Sequence, residues 1–114
     1  MPTFTKQLLS GSTNGRPIKV VATATLGTVI HTVSADIEEI WLYAAKIPGA
    51  TVTQLTIELG DVTVPDDLLT FSALSQTLSL IVPGVPLSGD VVVTAFADVA
   101  NEIMIVGWTN RIVP

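Results

Sequence analysis

The chain has 114 residues, a formal net charge of −5 and no cysteine, so it has the length of one domain and no disulfide frame, thiol nucleophile or cysteine zinc site. Charged residues make up 13% of it, well below the roughly 25% of an average globular domain, while hydrophobic residues reach 48%. The basic residues Lys6, Arg16, Lys19, Lys46 and Arg111 are scattered, which speaks against the clustered phosphate contacts that nucleic-acid binding needs.

The opening MPTFTKQLLSGSTNG lacks the continuous apolar stretch of a signal peptide. Residues 1–16 read as an N-terminal arm or edge strand, with Phe4, Leu8 and Leu9 as apolar anchors and a turn at Asn14-Gly15. Residues 17–114 read as the folded domain. Ile18–Leu26 (IKVVATATL) and Thr28–Val33 (TVIHTV) are expected as strands on either side of Gly27. Glu39–Lys46 is a third, with Ile40, Leu42 and Ala44 opposing Trp41, Tyr43 and Ala45; as a helix its apolar residues would surround the axis. Ile47–Ala50 is a turn, Pro48-Gly49 suiting the middle of type II. Thr51–Leu59 alternates cleanly and is a strand, and Asp61–Asp67 reads as a loop with room for a short strand.

Within Phe71–Val82 a strand is expected at Thr77–Val82, followed by a turn over Pro83–Gly89. The segment Asp90–Trp108 (DVVVTAFADVANEIMIVGW) reads as a hairpin. Its first strand sets Val91, Val93, Ala95 and Ala97 against Val92, Thr94 and Phe96. Its second sets Ile103, Ile105 and Gly107 against Met104, Val106 and Trp108, and Ala97–Glu102 leaves room for a single helical turn. Many short strands with regular turns and no sustained helix predict an all-β, single-domain antiparallel β-sandwich, jelly roll-like or immunoglobulin-like. The longest uncharged run, Leu68–Gly89, is broken by Ser, Thr, Pro and Gly, so no membrane helix is expected. The protein is read as soluble and made in the cytoplasm.

Candidate chemistry is sparse. His31 is the sole histidine, and with no cysteine a zinc site would need carboxylates for every other ligand. Glu58, Asp61, Asp66 and Asp67 flank one loop, but their spacing matches no EF-hand and reads as solvated charge. No phosphate-cradling glycine loop or nucleophile elbow occurs. No catalytic set, metal or cofactor is expected. Trp41 and Tyr43 share a strand face, and with Trp108 they offer a platform on which a sugar ring could stack.

The strongest feature is the second apolar face of Asp90–Trp108. Burying Val92, Phe96, Met104, Val106 and Trp108 would contribute about 8–15 kcal/mol as an upper bound, which rivals the whole stability of a domain, roughly 5–15 kcal/mol. These five residues are therefore expected between identical subunits, with Glu102, Asn110 and Arg111 at a polar rim. The competing expectation is that the opposite sheet covers one side and a loop or the arm covers the other.

The phrases TFTKQLLSGSTNGRPIKV, GTVIHTV and VVVTAFADVANEIMIVGWTNRI resemble small structural proteins of tailed bacteriophages that decorate the head or form head fibres. The resemblance implies a non-enzymatic virion component with a β-sandwich fold, assembled with itself as a homotrimer. It also implies that the arm from Phe4 to Leu9 touches the major capsid protein or a neighbour. No residue-level binding site follows from it. The alternative function is a carbohydrate-binding sandwich module that attaches to glycans through Trp41 and Tyr43.

Overall fold

A computed structural model describes residues 2–60, 68–72 and 74–114. Among them are nine strands and no helix: β1 (Thr3–Leu8), β2 (Ile18–Lys19), β3 (Thr28–Thr32), β4 (Ile37–Lys46), β5 (Gln54–Leu59), β6 (Leu68–Ser72), β7 (Ser79–Leu87), β8 (Val92–Ala97) and β9 (Ile103–Val113). The first sheet runs β1-β9-β4-β7, with β2 also on β9; the second runs β3-β8-β5-β6. Every pairing is antiparallel. The protein is a β-sandwich.

Alternation explains which side chains fill it. On β4, Ile40, Leu42 and Ala44 point inward, and on β9 Ile103 and Ile105 do the same. The second sheet answers with Leu55, Ile57, Val93 and Ala95, and Ile30, Val33, Val52 and Val82 close the core. All are buried, so the central strands β4, β9, β5 and β8 each commit a face to the dry layer between the sheets.

The expected hairpin is corrected. β8 belongs to the second sheet and β9 to the first, so Asp98–Glu102 is an arch between layers. Two carboxylates hold it. Asp98 accepts the N–H groups of Thr53 and Gln54, each at 3.0 Å, and Glu102 accepts those of Thr51 at 2.8 Å and Val52 at 3.0 Å. Residues 98–101 form a bend and turn, not a helical turn, with Asn101 at φ 67.

Three other expectations change. The strand read over Ile18–Leu26 pairs only at Ile18 and Lys19; the chain then bridges the layers, with Val20 donating to the Ile103 carbonyl and Ala22 accepting from Ala97 N–H. Pro83–Gly89 is not a turn, since β7 continues through Pro83, Gly84 and Pro86 to Leu87. Among the described residues it pairs only with β4, an edge position where a missing N–H is tolerated, and two register shifts absorb the extra residues. The real turn follows, with Gly89 and Asp90 both at positive φ, 70 and 62. β6 is a strand that the residue pattern alone does not announce, and the loop expected at Asp61–Asp67 lies outside the described residues.

Candidate functional site

The outer face of the first sheet can be read row by row from the register. Phe4, Ile112 and Ile37 form the first row, and Lys6, Asn110, Glu39 and Pro86 the second. Leu8, Trp108, Trp41 and Pro83 form the third, and Val106, Tyr43 and Leu80 the fourth. Lys19, Met104 and Ala45 complete it. Four of five rows are dominated by apolar side chains, and Phe4 (60%), Leu8 (62%), Ile37 (49%), Leu78 (51%) and Leu80 (44%) are substantially exposed. A monomer rarely leaves a contiguous apolar surface of this extent wet.

At its centre the aromatic rings stack on one another. Trp41 and Trp108 lie 5.8 Å apart at 12°, and Tyr43 and Trp108 5.9 Å apart at 27°. Such offset pairs add about 0.5–1.5 kcal/mol beyond burial. The Lys6 ammonium sits 5.1 Å from the Trp108 ring centre, a cation–π position. Gly84 and Gly107 make the stack possible. A Cβ on Gly84 would come within 2.7 Å of the Trp41 ring, and one on Gly107 within 1.9 Å of the Trp41 carbonyl oxygen. Tyr43, Val106, Gly107, Trp108, Gly15 and Leu78 line a shallow depression of about 320 Å³ beside the stack.

The sequence-expected interface residues do not form one patch. Met104, Val106 and Trp108 lie on this face, half-buried. Val92 and Phe96 lie on the outer face of the second sheet, on the far side of the sandwich. Glu102 is in the arch, and Arg111 pairs with Asp36 at 2.7 Å. Of the arm residues, Phe4 and Leu8 are exposed on the first sheet's outer face, whereas Leu9 is 2% exposed and packs in the core, because the chain turns inward after β1. Ile37, Leu78, Leu80 and Ile112 also belong to the face, beyond the residues expected there. Ile37 shares the parity of Trp41 and Tyr43 and is visible as such in the sequence, but Leu80 faces out while Val82, two residues on, faces in across a register shift, and neither that shift nor the strand pairing that sets these residues beside Phe4 and Trp41 is visible.

The second sheet's outer face is different in kind. Thr56, Glu58, Thr70 and Thr94 occupy its middle. Glu58 is buried there and accepts hydrogen bonds from Thr94 Oγ1 at 2.6 Å, Gly27 N–H at 2.8 Å and the Thr25 hydroxyl. Burial pushes its carboxyl up, but Thr25, Thr94 and Gly27 outweigh that and hold it below the usual range. The result is a latch that folds residues 22–27 over the sheet.

A second polar cluster bridges the layers. His31 Nε2 lies 2.7 Å from Glu38 Oε1, and its Nδ1 accepts the Ser10 N–H at 2.9 Å. Glu38 also accepts from Thr109 Oγ1 and Ser34 N–H, both at 2.7 Å. Burial opposes ionisation of Glu38, yet the donors at Ser34, Thr109 and His31 lower its pKa to about 2. Both imidazole nitrogens are occupied and the cluster is buried, so its role is to tie β3, β4 and β9 together with the segment after β1. Among the described residues no group of three His, Cys, Asp or Glu is placed to hold a metal ion, and no helix is long and apolar enough to cross a membrane.

Comparison with protein-family models, with curated proteins and with solved structures finds no match to this chain.

Proposed function

We propose that the protein is a non-enzymatic structural subunit of a virion, a capsid decoration or head-fibre component that works as an oligomer and buries the outer face of its first sheet in the assembly. The observation that carries this reading is the exposed apolar face running from Phe4 to Leu80 around the Trp41–Trp108–Tyr43 stack. The strand orders β1-β9-β4-β7 and β3-β8-β5-β6 lend support. They fit a jelly roll, an architecture used by viral capsid domains and also by lectins. That likeness is one of fold alone, and the resemblance of the terminal phrases to phage head proteins adds the virion context.

Sedimentation velocity at micromolar concentration tests it, comparing the natural chain with Leu8→Asp. Leu8 is exposed, so the variant folds. The natural chain sediments as an oligomer and the variant as a monomer. A natural chain that is monomeric throughout contradicts the reading, as does its absence from purified particles.

A carbohydrate-binding role has one feature in its favour, the placement of Trp41 and Tyr43 on a common outward face without full burial. Against it, Trp108 already takes up one ring face of each residue, whereas sugars stack on open ring faces. Quenching of tryptophan fluorescence by a glycan array would support it.

A further inference from the structure

We propose that the occupant of this face is a second copy of the same chain, packed sheet on sheet about a two-fold axis that runs along β9. The inference rests on the self-assembly reading above and adds its geometry. The one polar row decides it. Lys6 on β1 and Glu39 on β4 flank Asn110 on β9, in register on three neighbouring strands. Adjacent strands lie about 4.8 Å apart, so the backbones of Lys6 and Glu39 stand roughly 10 Å from each other, one strand to either side of β9, with the Lys6 ammonium resting over Trp108. The two side chains form no ion pair within the chain among the described residues; Glu39 receives only a long 3.4 Å contact from Asn110 Nδ2.

Rotation by 180° about an axis lying over β9 carries Lys6 of each copy onto Glu39 of the other. The same rotation sets Leu8 against the partner's Trp41, and the two Trp108 rings against each other. Each row meets its own kind, as an isologous contact requires. An axis across the strands would instead set Lys6 on Lys6 and Glu39 on Glu39 if it lay over this row, or press both into apolar rows if it lay elsewhere, leaving the charges repelled or unpaired on burial. An axis between β9 and β4 would place Lys6 over Pro86. The charge order therefore selects the axis over β9, with β7 overhanging at the rim.

The area is adequate. Taking roughly 150–250 Å² for a large side chain, the exposed fractions of Phe4, Leu8 and Ile37 with the half-buried aromatic stack, Val106 and Ile112 give on the order of 500–600 Å² of apolar surface per copy. Adding the polar row brings this close to the roughly 800 Å² per partner of a standard interface. Aligned sheet packing of two twisted faces is a common solution for such surfaces.

Charge exchange tests the register. Lys6→Glu, Glu39→Lys, the double variant and an equimolar mixture of the two singles are compared with the natural chain by sedimentation equilibrium, with circular dichroism as the fold control. In this geometry each single variant places like charges opposite each other twice and weakens association by roughly ten-fold or more. The double variant keeps the net charge of the natural chain and exchanges the two signs. In the mixture, the acidic pair of a Lys6→Glu copy faces the basic pair of a Glu39→Lys copy. Both recover to within about three-fold of the natural chain. A double variant as weak as the singles, or an assembly of three chains, overturns the two-fold register while self-assembly stands. A natural chain that never associates overturns the parent reading as well.

Discussion

Replacing Glu38 by glutamine removes the charge at the centre of the inter-sheet cluster while keeping its shape. In the native chain the carboxylate gathers hydrogen bonds from Ser34, Thr109 and His31, and its pKa falls from 4.5 to about 2. At pH 7 the group is ionised in both the folded and unfolded chain, and the gap between the two values corresponds to about 3 kcal/mol of stability. As pH falls below 4.5 the unfolded chain takes up the proton first, so this contribution declines and is gone near pH 2. At pH 3 about 2 kcal/mol of it has been lost. Glu38→Gln is therefore expected to be about 3 kcal/mol less stable than the natural chain at pH 7, and the difference should shrink by about 2 kcal/mol by pH 3. Urea unfolding at a series of pH values, followed by the emission of Trp41 and Trp108, measures it. A difference that stays constant between pH 7 and pH 3 refutes the reasoning.

Gly107→Ala should cost about 3 kcal/mol or more in urea unfolding, since the new Cβ meets the Trp41 carbonyl oxygen and β9 must separate from β4. Leu42→Ala, in the middle of the core, should cost about 2–5 kcal/mol by the same measurement, with the face outside it unchanged. Asp98→Ala removes the acceptor that holds the arch to the start of β5, so hydrogen exchange at the Thr53 and Gln54 amides should speed up more than at core amides. The Asp98 carboxyl is held below its usual range by the Thr53 hydroxyl and the Gln54 and Thr53 N–H groups, so the same amides should also loosen in the natural chain as acid protonates it.

The alternation of β4 and β5 is legible from the residues alone, because Ile40, Leu42 and Ala44, and Leu55 and Ile57, repeat with the period of a half-buried strand. So is the turn at Pro48-Gly49, where Gly49 has φ 78 and Ala50 N–H reaches the Ile47 carbonyl at 3.2 Å. A period of two reports that a strand has two faces but not which strand lies beside it. The five residues Asp98–Glu102 serve a hairpin and an arch equally well. The bonds that decide between them run from Asp98 and Glu102 to residues 51–54, some 44–51 positions away. The second face of β9 is thus apolar from Met104 to Trp108, as its residues indicate, while that of β8 carries Thr94 between Val92 and Phe96, and the two do not lie side by side. Pro83 and Pro86 read as turn residues because proline cannot donate to a ladder, a rule that relaxes on the outer edge of β7. Leu9 is visible as an apolar anchor, but its burial depends on the inward turn after β1, where Gly11 N–H bonds to the Ile30 carbonyl.

Both tryptophans of the chain stand on the outer face of the first sheet, so their accessibility reports on that surface without any label. Acrylamide quenching of tryptophan emission across a thousand-fold range of protein concentration is the most direct test of its burial. Quenching should fall as concentration rises through the association range, and Leu8→Asp should abolish that fall. Quenching that is strong and independent of concentration would show that the face stays wet, and self-assembly through it would be wrong.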